Sequence, residues 1–579
     1  MAWEGAYTAD YRDLLLRLKE MITGYPLITT PVRSGDGDGI IYGIHTASDA
    51  TVETWTITCT DVNVPATFSV VGSVSGAQGT ATVDTLYSNS ELSFTLKAGS
   101  VPFSAGDSFV FSVVTNDLVG LAQTWIVERW IGNGAKVVNY LASSVYDGSA
   151  NYIPDKAVDE SSSTTWASDN ALGNGSWWQV EFDLPVDIRE VTIGGFDNGS
   201  LRSSNSAPKN FDIQYSDDGS SWTTDTSVTD STGWLNQTRV FPLTGTAGAH
   251  LFWRISITNV VSGTQASLPN VVMKTVDSLF NVAYYGYGYD AVFHGPGTPG
   301  GDDIFVSLRP DAAVIHGPNW VLGGSLSFAA GLDSFNQPGG DINGYCDASS
   351  TRPFAEQNRL TLYDLPFKYW ITVSGRVIKV ATRFQNICEL SYLGYLIQYA
   401  IPAQYPYPCL IAGTQSAGGR SPYTTYHWTR TDYGHACIVN PAAMYEYPPD
   451  SYEDVSFPCR LYTPFNEWRP VGNKASNINT SSEFHISGSH ILNVWPYQTD
   501  DGESYNYRLR DQLDGQVPLT PIVLIDKRSK SQYGELDGVM AVPGIKAIES
   551  LIEKDGEYWI VLNNVFRESA NSFFALRLT

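Results

Sequence analysis

Trp177-Trp178-Gln179-Val180-Glu181-Phe182-Asp183-Leu184 decides how this chain is read. Trp178, Val180, Phe182 and Leu184 fall on one face with polar residues between them, the period of two expected of a half-buried strand. Phe211, Ile213 and Tyr215 alternate in the same way with Asp212 and Gln214. That run stops at Asp217-Asp218-Gly219, a hairpin signal, because glycine accepts a positive φ. Val191 and Ile193, then Phe252, Arg254, Ile255 and Ile257, supply further strands. Several short strands at this spacing predict a β-sandwich.

Two segments in this region carry a resemblance. One is Asp155-Lys-Ala-Val-Asp159-Glu-Ser-Ser-Ser-Thr164-Thr-Trp166, followed by Ser176 to Leu184. The other is Ala207-Pro-Lys-Asn-Phe211 to Tyr215-Ser-Asp-Asp-Gly-Ser-Ser-Trp222-Thr. Their order and spacing resemble the discoidin family, also called the coagulation-factor type C domain, which includes many sugar-binding modules. The resemblance implies a jelly roll whose loop end takes glycan and, in the loop Asp159 to Thr164, a calcium ion held by the Asp159 carboxylate and a Thr164 oxygen. Oxygen-rich loops suit this hard cation. Two positions depart from the family pattern. Glu160 replaces the usual glycine, and Leu268-Pro-Asn270-Val-Val shows no acidic ligand. A sugar site needs an aromatic platform and a few polar groups. Trp177, Arg202, Asn205 and Trp234 are the candidates by their place in loops, whereas Trp166, Trp178 and Trp222 are assigned to the core.

Across its 579 residues the chain is poor in charge (16%) and rich in aromatic residues (13%), with 33 Tyr and 16 Trp. Typical soluble domains carry about 25% charged residues. Interfaces favour aromatics and exclude Lys and Glu, so this composition fits either a subunit covered by partners or a large β protein with several cores. The net charge of −25 opposes nucleic-acid binding, which needs Lys and Arg to displace phosphate counterions. The basic run Lys527-Arg528-Ser-Lys530 is local and reads as a solvated loop. No run of apolar residues reaches the roughly 18 to 20 of a membrane span, and Met1-Ala-Trp-Glu-Gly does not open a signal peptide. Cys59, Cys346, Cys388, Cys409, Cys437 and Cys459 include no C-x-x-C pair, which argues for free buried thiols and a reducing site of synthesis.

The fold class is mainly β and multi-domain, with β-sandwiches that include the discoidin-like jelly roll, one short N-terminal amphipathic helix and a mixed-β C-terminal half. Residues 1–30 are read as a helix and arm. Thr8 is the expected cap, Tyr11, Leu14, Leu15, Leu18 and Ile22 form one face, and Gly24 and Pro26 are the stop. Residues 31–118 read as a small β-sandwich, 119–137 as a connecting strand, 138–275 as the discoidin-like sandwich and 276–579 as a β-rich domain. Val71 to Gly79 reads as a turn region. The prolines of Tyr405-Pro-Tyr-Pro-Cys409 exclude a helix there. The hairpin of Tyr369 to Arg383 turns at Ser374-Gly375.

The remainder of the chain resembles virion proteins of tailed bacteriophages. The N-terminal helix, the Trp55 sandwich, the Gly-Pro-Gly loop before Ile304 and Gly375-Arg376-Val377 carry this resemblance, together with Tyr392-Leu-Gly, Tyr405-Pro-Tyr-Pro and Asn564-Val-Phe-Arg. It implies a tail or baseplate protein made in the host cytoplasm and built into the virion. Such a protein contacts other tail proteins and copies of itself in a symmetric ring. A receptor-binding fibre for host polysaccharide and a glycan-degrading enzyme with a binding module stay open as alternatives.

The reading is non-enzymatic, since no G-x-S-x-G elbow, H-E-x-x-H helix or P-loop occurs. His485 and His490, five apart in a Gly/Ser context, do not set two metal ligands on one helical face. Asp36 and Asp38 lack the further carboxylates of an EF-hand loop and read as a flexible turn.

Overall fold

The computed structural model describes residues 2–118, 125–159, 163–169, 175–199, 202–275, 281–288, 290–296, 304–315, 322–331, 358–363, 365–413, 459–465, 468–470, 486–490, 519–526, 531–542, 547–563 and 573–579. The basic run 527–530, Glu160, Cys346, Cys437, His485 and 564–567 lie outside them, as do the side chains of Cys459 and His490. The fold is mainly β. One compact unit comprises Met1–Arg129, Ala291–Arg309 and Val314–Thr579, and the other Trp130–Asp290 with Pro310–Ala313.

In the second unit, strands Val137–Ala142, Ser176–Val186, His250–Val260, Pro208–Ser216 and Thr223–Val228 lie in that order in one antiparallel sheet. Strands Arg239–Pro242, Glu190–Gly194 and Asn270–Lys274 form a second sheet. Strand parity decides what is buried. Trp178, Val180 and Phe182, with Phe211, Ile213, Trp253, Ile255 and Ile257, meet Val191, Ile193, Val271 and Met273 in one core. The turn after Ser216 is built as read. Gly219 has φ +67°, and the Asp218 carboxylate accepts the Ser220 and Ser221 N–H groups (2.8 and 2.6 Å).

In the first unit, Trp55, Ile57 and Cys59 of strand Thr54–Asp61 pack inward with Phe68, Phe109 and Phe111. The turn region there is shorter than expected, because Thr67–Gly72 and Gly76–Thr82 are paired strands. The hairpin of Phe367–Val373 and Val377–Phe384 closes at Ser374, whose N–H donates to the Val377 carbonyl (3.0 Å). Cys59, Cys388 and Cys409 are free and buried.

The N-terminus differs from the expected helix and arm. Ala2–Thr8 is a strand, paired residue for residue with Phe367–Val373. The helix Tyr11–Ile22 follows, and its cap is Asp10, whose carboxylate accepts the Arg12 and Asp13 N–H groups. Thr8 instead gives its hydroxyl to the Asp13 carboxylate and the Asp10 carbonyl (2.6 and 2.8 Å). A carboxylate on the exposed helix N–H groups also answers the helix dipole, which a hydroxyl does not.

Arg17 lies among the apolar residues of the helix, 1% exposed beside an equally buried Glu4. Its Nε donates to Glu4 (2.9 Å), and the Tyr369 hydroxyl donates to the same carboxylate (2.5 Å). Burial alone would lower the Arg17 pKa, but Glu4 holds it well above the ordinary value. His45 bridges Glu20 (2.9 Å) and Asp13. Burial opposes its charge, yet the two carboxylates raise its pKa to about 9.

Lys379, fully buried, donates to the Asp537 carbonyl (2.8 Å). Desolvation pulls its pKa down to about 8. Gly538 is required there. It has φ +68°, and a Cβ would stand 2.4 Å from Lys379 Nζ.

Candidate functional site

Three strands define one end of the second unit: Ser176–Val186 begins there, His250–Val260 finishes there and Pro208–Ser216 starts there, with Ser176 opposite Ile257 and Pro208 opposite Val260. The adjoining loops are tied by backbone hydrogen bonds. Ser143 N–H donates to the Trp177 carbonyl (2.9 Å), Ser168 N–H to Ala266 (2.8 Å) and Ser267 N–H to Ser206 (3.0 Å). The Asn205 carbonyl accepts from both Ser262 and Gly263 (3.0 and 2.9 Å). A loop held this way presents its side chains at little further entropic cost.

Trp177 is half-buried, one residue out of phase with the fully buried Trp178, and opposite Ser256 on the outer side of the sheet. Its own N–H is taken by Ser143 Oγ (3.1 Å). Asn205 is exposed at the same end.

Arg202 is used within the protein. Its Nε donates to Asp197 Oδ2 (3.0 Å), Nη1 to the Thr164 carbonyl (2.8 Å) and Nη2 to the Gly195 carbonyl (2.6 Å). The Asp197 pKa is lowered first by the Gly199 N–H and then by Arg202, against the effect of desolvation. Asp159 and Thr164 are brought together. The Thr164 hydroxyl donates to Asp159 Oδ1 (2.7 Å), and Lys156 Nζ reaches Asp159 Oδ2 (3.3 Å).

Trp234 does not line the surface. It is 0% exposed, with Phe196 and Phe241 at 5.3 and 6.1 Å and the Arg239 guanidinium 4.8 Å from its ring centre. Its Nε1–H donates to the Ser231 carbonyl (3.1 Å). The loop folds back through positive φ at Asp230, Gly233 and Asn236, which carries the indole inward.

Trp222 moves the other way. Assigned to the core, it is half-buried with the Arg254 guanidinium 3.9 Å from its ring centre. Arg254 Nε donates to Gln214 (2.6 Å). The signal for this pair was the strand parity that puts Gln214 opposite Arg254 on the outer side. Partial desolvation lowers the Arg254 pKa.

Elsewhere, the Gly35 to Gly39 loop is tied down, not flexible. Asp107 accepts the Asp36 and Gly37 N–H groups (both 3.0 Å), and Asp38 accepts from Val101 (2.7 Å). Among the described residues no cluster of three His, Cys, Asp or Glu is placed to hold a metal ion. No helix among them is long and apolar enough to cross a membrane.

Residues 140–266 match the family model described as F5/8 type C domain, so a discoidin-like domain is present in the second unit. Solved structures align with the same part of the chain. Chitosan-binding module 1 of a Paenibacillus sp. IK-5 chitosanase/glucanase shares 22% identity, covering 24% of this chain and 94% of that one, with a TM-score of 0.20. The module CpGH89CBM32-5 of Clostridium perfringens, solved with GalNAc-β-1,3-galactose, shares 14% over 24% and 94% (TM-score 0.21). The F5/8 type C domain of a Bacteroides fragilis protein shares 16% over 26% and 95% (TM-score 0.20). No curated protein matches the chain.

Proposed function

We propose that the discoidin-like domain binds surface glycan at its loop end, as a non-enzymatic part of a larger β-rich structural protein. The observation that carries this reading is the half-buried Trp177, which lies not in a loop but at the start of strand Ser176–Val186, beside tied loops and with the exposed Asn205 at the same end of the sandwich. An indole supplies a rigid apolar platform for a sugar ring, and nearby amide and backbone groups supply direction. Trp234 has no part in it. The test is an array of bacterial surface polysaccharides probed with the full chain. Binding that is lost in Trp177→Ala supports the reading. No binding to any glycan, or equal binding by the variant, contradicts it. Release of reducing sugar from the bound polysaccharide would point to the enzymatic alternative.

The setting proposed is a phage tail tip or baseplate, with other tail proteins and copies of the same chain as neighbours. The resemblance of the segments outside the domain supports it. Mass spectrometry of purified virions and sedimentation of the isolated protein test this setting. Absence from virions together with a monomer in solution would overturn it.

A further inference from the structure

We infer that the outer face of the five-stranded sheet carries a second sugar-binding position, at Gln179 and Arg254, so that the domain takes a chain of uncharged sugar units running from Trp177 across the sheet. This rests on the glycan reading of Trp177 above. The strand register places the residues. Gln179 and Gln214 stand opposite Arg254 from its two sides, so the three side chains form one row on the outer face. Trp177 is two residues before Gln179 in the same strand, and alternation puts it on the same face.

The row holds donors that the domain does not use. Gln179 is 4% exposed, and its side-chain amide has no hydrogen-bond partner among the described residues. Leaving a buried amide unpaired is costly, and a ligand that supplies its partners removes that cost. Arg254 is half-buried and engages only Nε, on Gln214 (2.6 Å). Neither of its Nη groups has an acceptor among the described residues.

The guanidinium is nonetheless fixed in place. The Trp222 ring lies 3.9 Å from it. Gln214, which holds its Nε, is itself held, since Gln214 Nε2 donates to the Thr224 hydroxyl (2.9 Å). Side chains fixed beforehand lose little rotamer freedom on binding. Guanidinium and amide N–H groups match sugar hydroxyl and ring oxygens, and the amide carbonyl accepts from a hydroxyl. Glu181 and Asp212 lie two residues from the row in their strands, on the same face. They add acceptors for hydroxyls and, with the net charge of −25, repel a polyanion. The centre of this face is polar, unlike the apolar centre of a protein interface.

The experiment titrates the full chain with disaccharide, tetrasaccharide and octasaccharide fragments of the polysaccharide that it binds most tightly on the array. Wild type is compared with Gln179→Leu, Arg254→Met and Trp177→Ala. Wild type is expected to bind the octasaccharide about tenfold more tightly than the disaccharide, the factor that one further charge-assisted hydrogen bond supplies. Gln179→Leu and Arg254→Met should keep the disaccharide affinity and lose most of that gain. Trp177→Ala should lose affinity for every fragment. A wild-type affinity that does not rise with length, or a rise that survives in both sheet-face variants, overturns the inference and leaves the Trp177 reading standing. Octasaccharide binding that survives Trp177→Ala but is lost in Arg254→Met contradicts the Trp177 reading and supports the sheet-face position. No binding to any glycan removes both. Binding confined to uronate-containing polymers and abolished by high salt overturns the uncharged class. If Arg254→Met does not fold, Gln179→Leu decides alone. It breaks no hydrogen bond, so its urea midpoint should match that of wild type.

Discussion

The discoidin-like sandwich and the N-terminal corner of the other unit bury their polar atoms by opposite means. In the sandwich, four fully buried tryptophans each donate Nε1–H to a backbone carbonyl: Trp166 to Ser144 (3.1 Å), Trp178 to Pro154 (2.8 Å), Trp234 to Ser231 (3.1 Å) and Trp253 to Val186 (2.9 Å). These are neutral bonds that lock loops to the core and do not titrate. At the N-terminal corner the buried groups are charged, with Glu4, Arg17, Glu20, His45 and Asp13 joined in one chain of contacts. Buried ion pairs give little net stability over an apolar core but penalise any break heavily. The sandwich should therefore tolerate changes of pH and fail through loss of packing, whereas the corner should fail through loss of charge balance.

The largest effect expected from breaking this contrast is at Glu4. Glu4→Gln leaves the buried Arg17 with only the more exposed Glu20 as counter-charge and should cost about 3–5 kcal/mol. It should be read as lost exchange protection in Ala2–Thr8 and Phe367–Val373. A cost below about 1 kcal/mol would mean that the corner is held by packing alone.

Next is Trp178→Phe, which keeps a ring in the core but orphans the Pro154 carbonyl and opens a small cavity. The expected loss is about 2–3 kcal/mol, and it should be the same at pH 6 and pH 9. A pH-dependent loss would blur the contrast.

The pH dependence is a third lever. His45 has a folded-state pKa raised from 6.5 to about 9. Its contribution is complete below about pH 6.5 and disappears as pH rises through about 9, with roughly 2 kcal/mol of it lost between about pH 6 and pH 8. Lys379 has the opposite sign. Its folded pKa is depressed from 10.5 to about 8, so its cost is present below about pH 8 and is relieved as pH approaches 10.5. Urea midpoints from pH 6 to pH 8 should fall in wild type and stay flat in His45→Asn. An equal slope in the variant would exclude His45 as the cause.

The contrast also explains what could be read in advance. Strand parity gave Ser176–Val186 and Pro208–Ser216 and placed Trp178, Phe211 and Ile213 inward, because alternation is a local signal. It missed Trp253, between Phe252 and Arg254, until the core side of that strand was seen. Trp222 and Trp234 exchanged roles because both sit at loop bends, where no period exists and backbone φ decides the direction of a side chain.

Glu4 and Tyr369 meet across 365 positions, and nothing local marks Ala2–Thr8 as a sheet strand or Arg17 as a buried cation on an otherwise apolar helix face. At the site, Asp159 and Thr164 were legible as neighbours only five residues apart. The contact of Arg202 with Thr164 spans 38 positions and had no sequence signal.

The smallest effect on stability and the largest on function are expected at Trp177, and that measurement tests the central claim most directly. Wild type and Trp177→Ala should be titrated with the strongest polysaccharide fragment from the array, with urea midpoints recorded in parallel. The account predicts unfolding free energies within about 0.5 kcal/mol of each other and an affinity at least about tenfold weaker in the variant, or roughly 1.4 kcal/mol. Equal affinities in two equally stable proteins would contradict it and would remove the loop end as the glycan site.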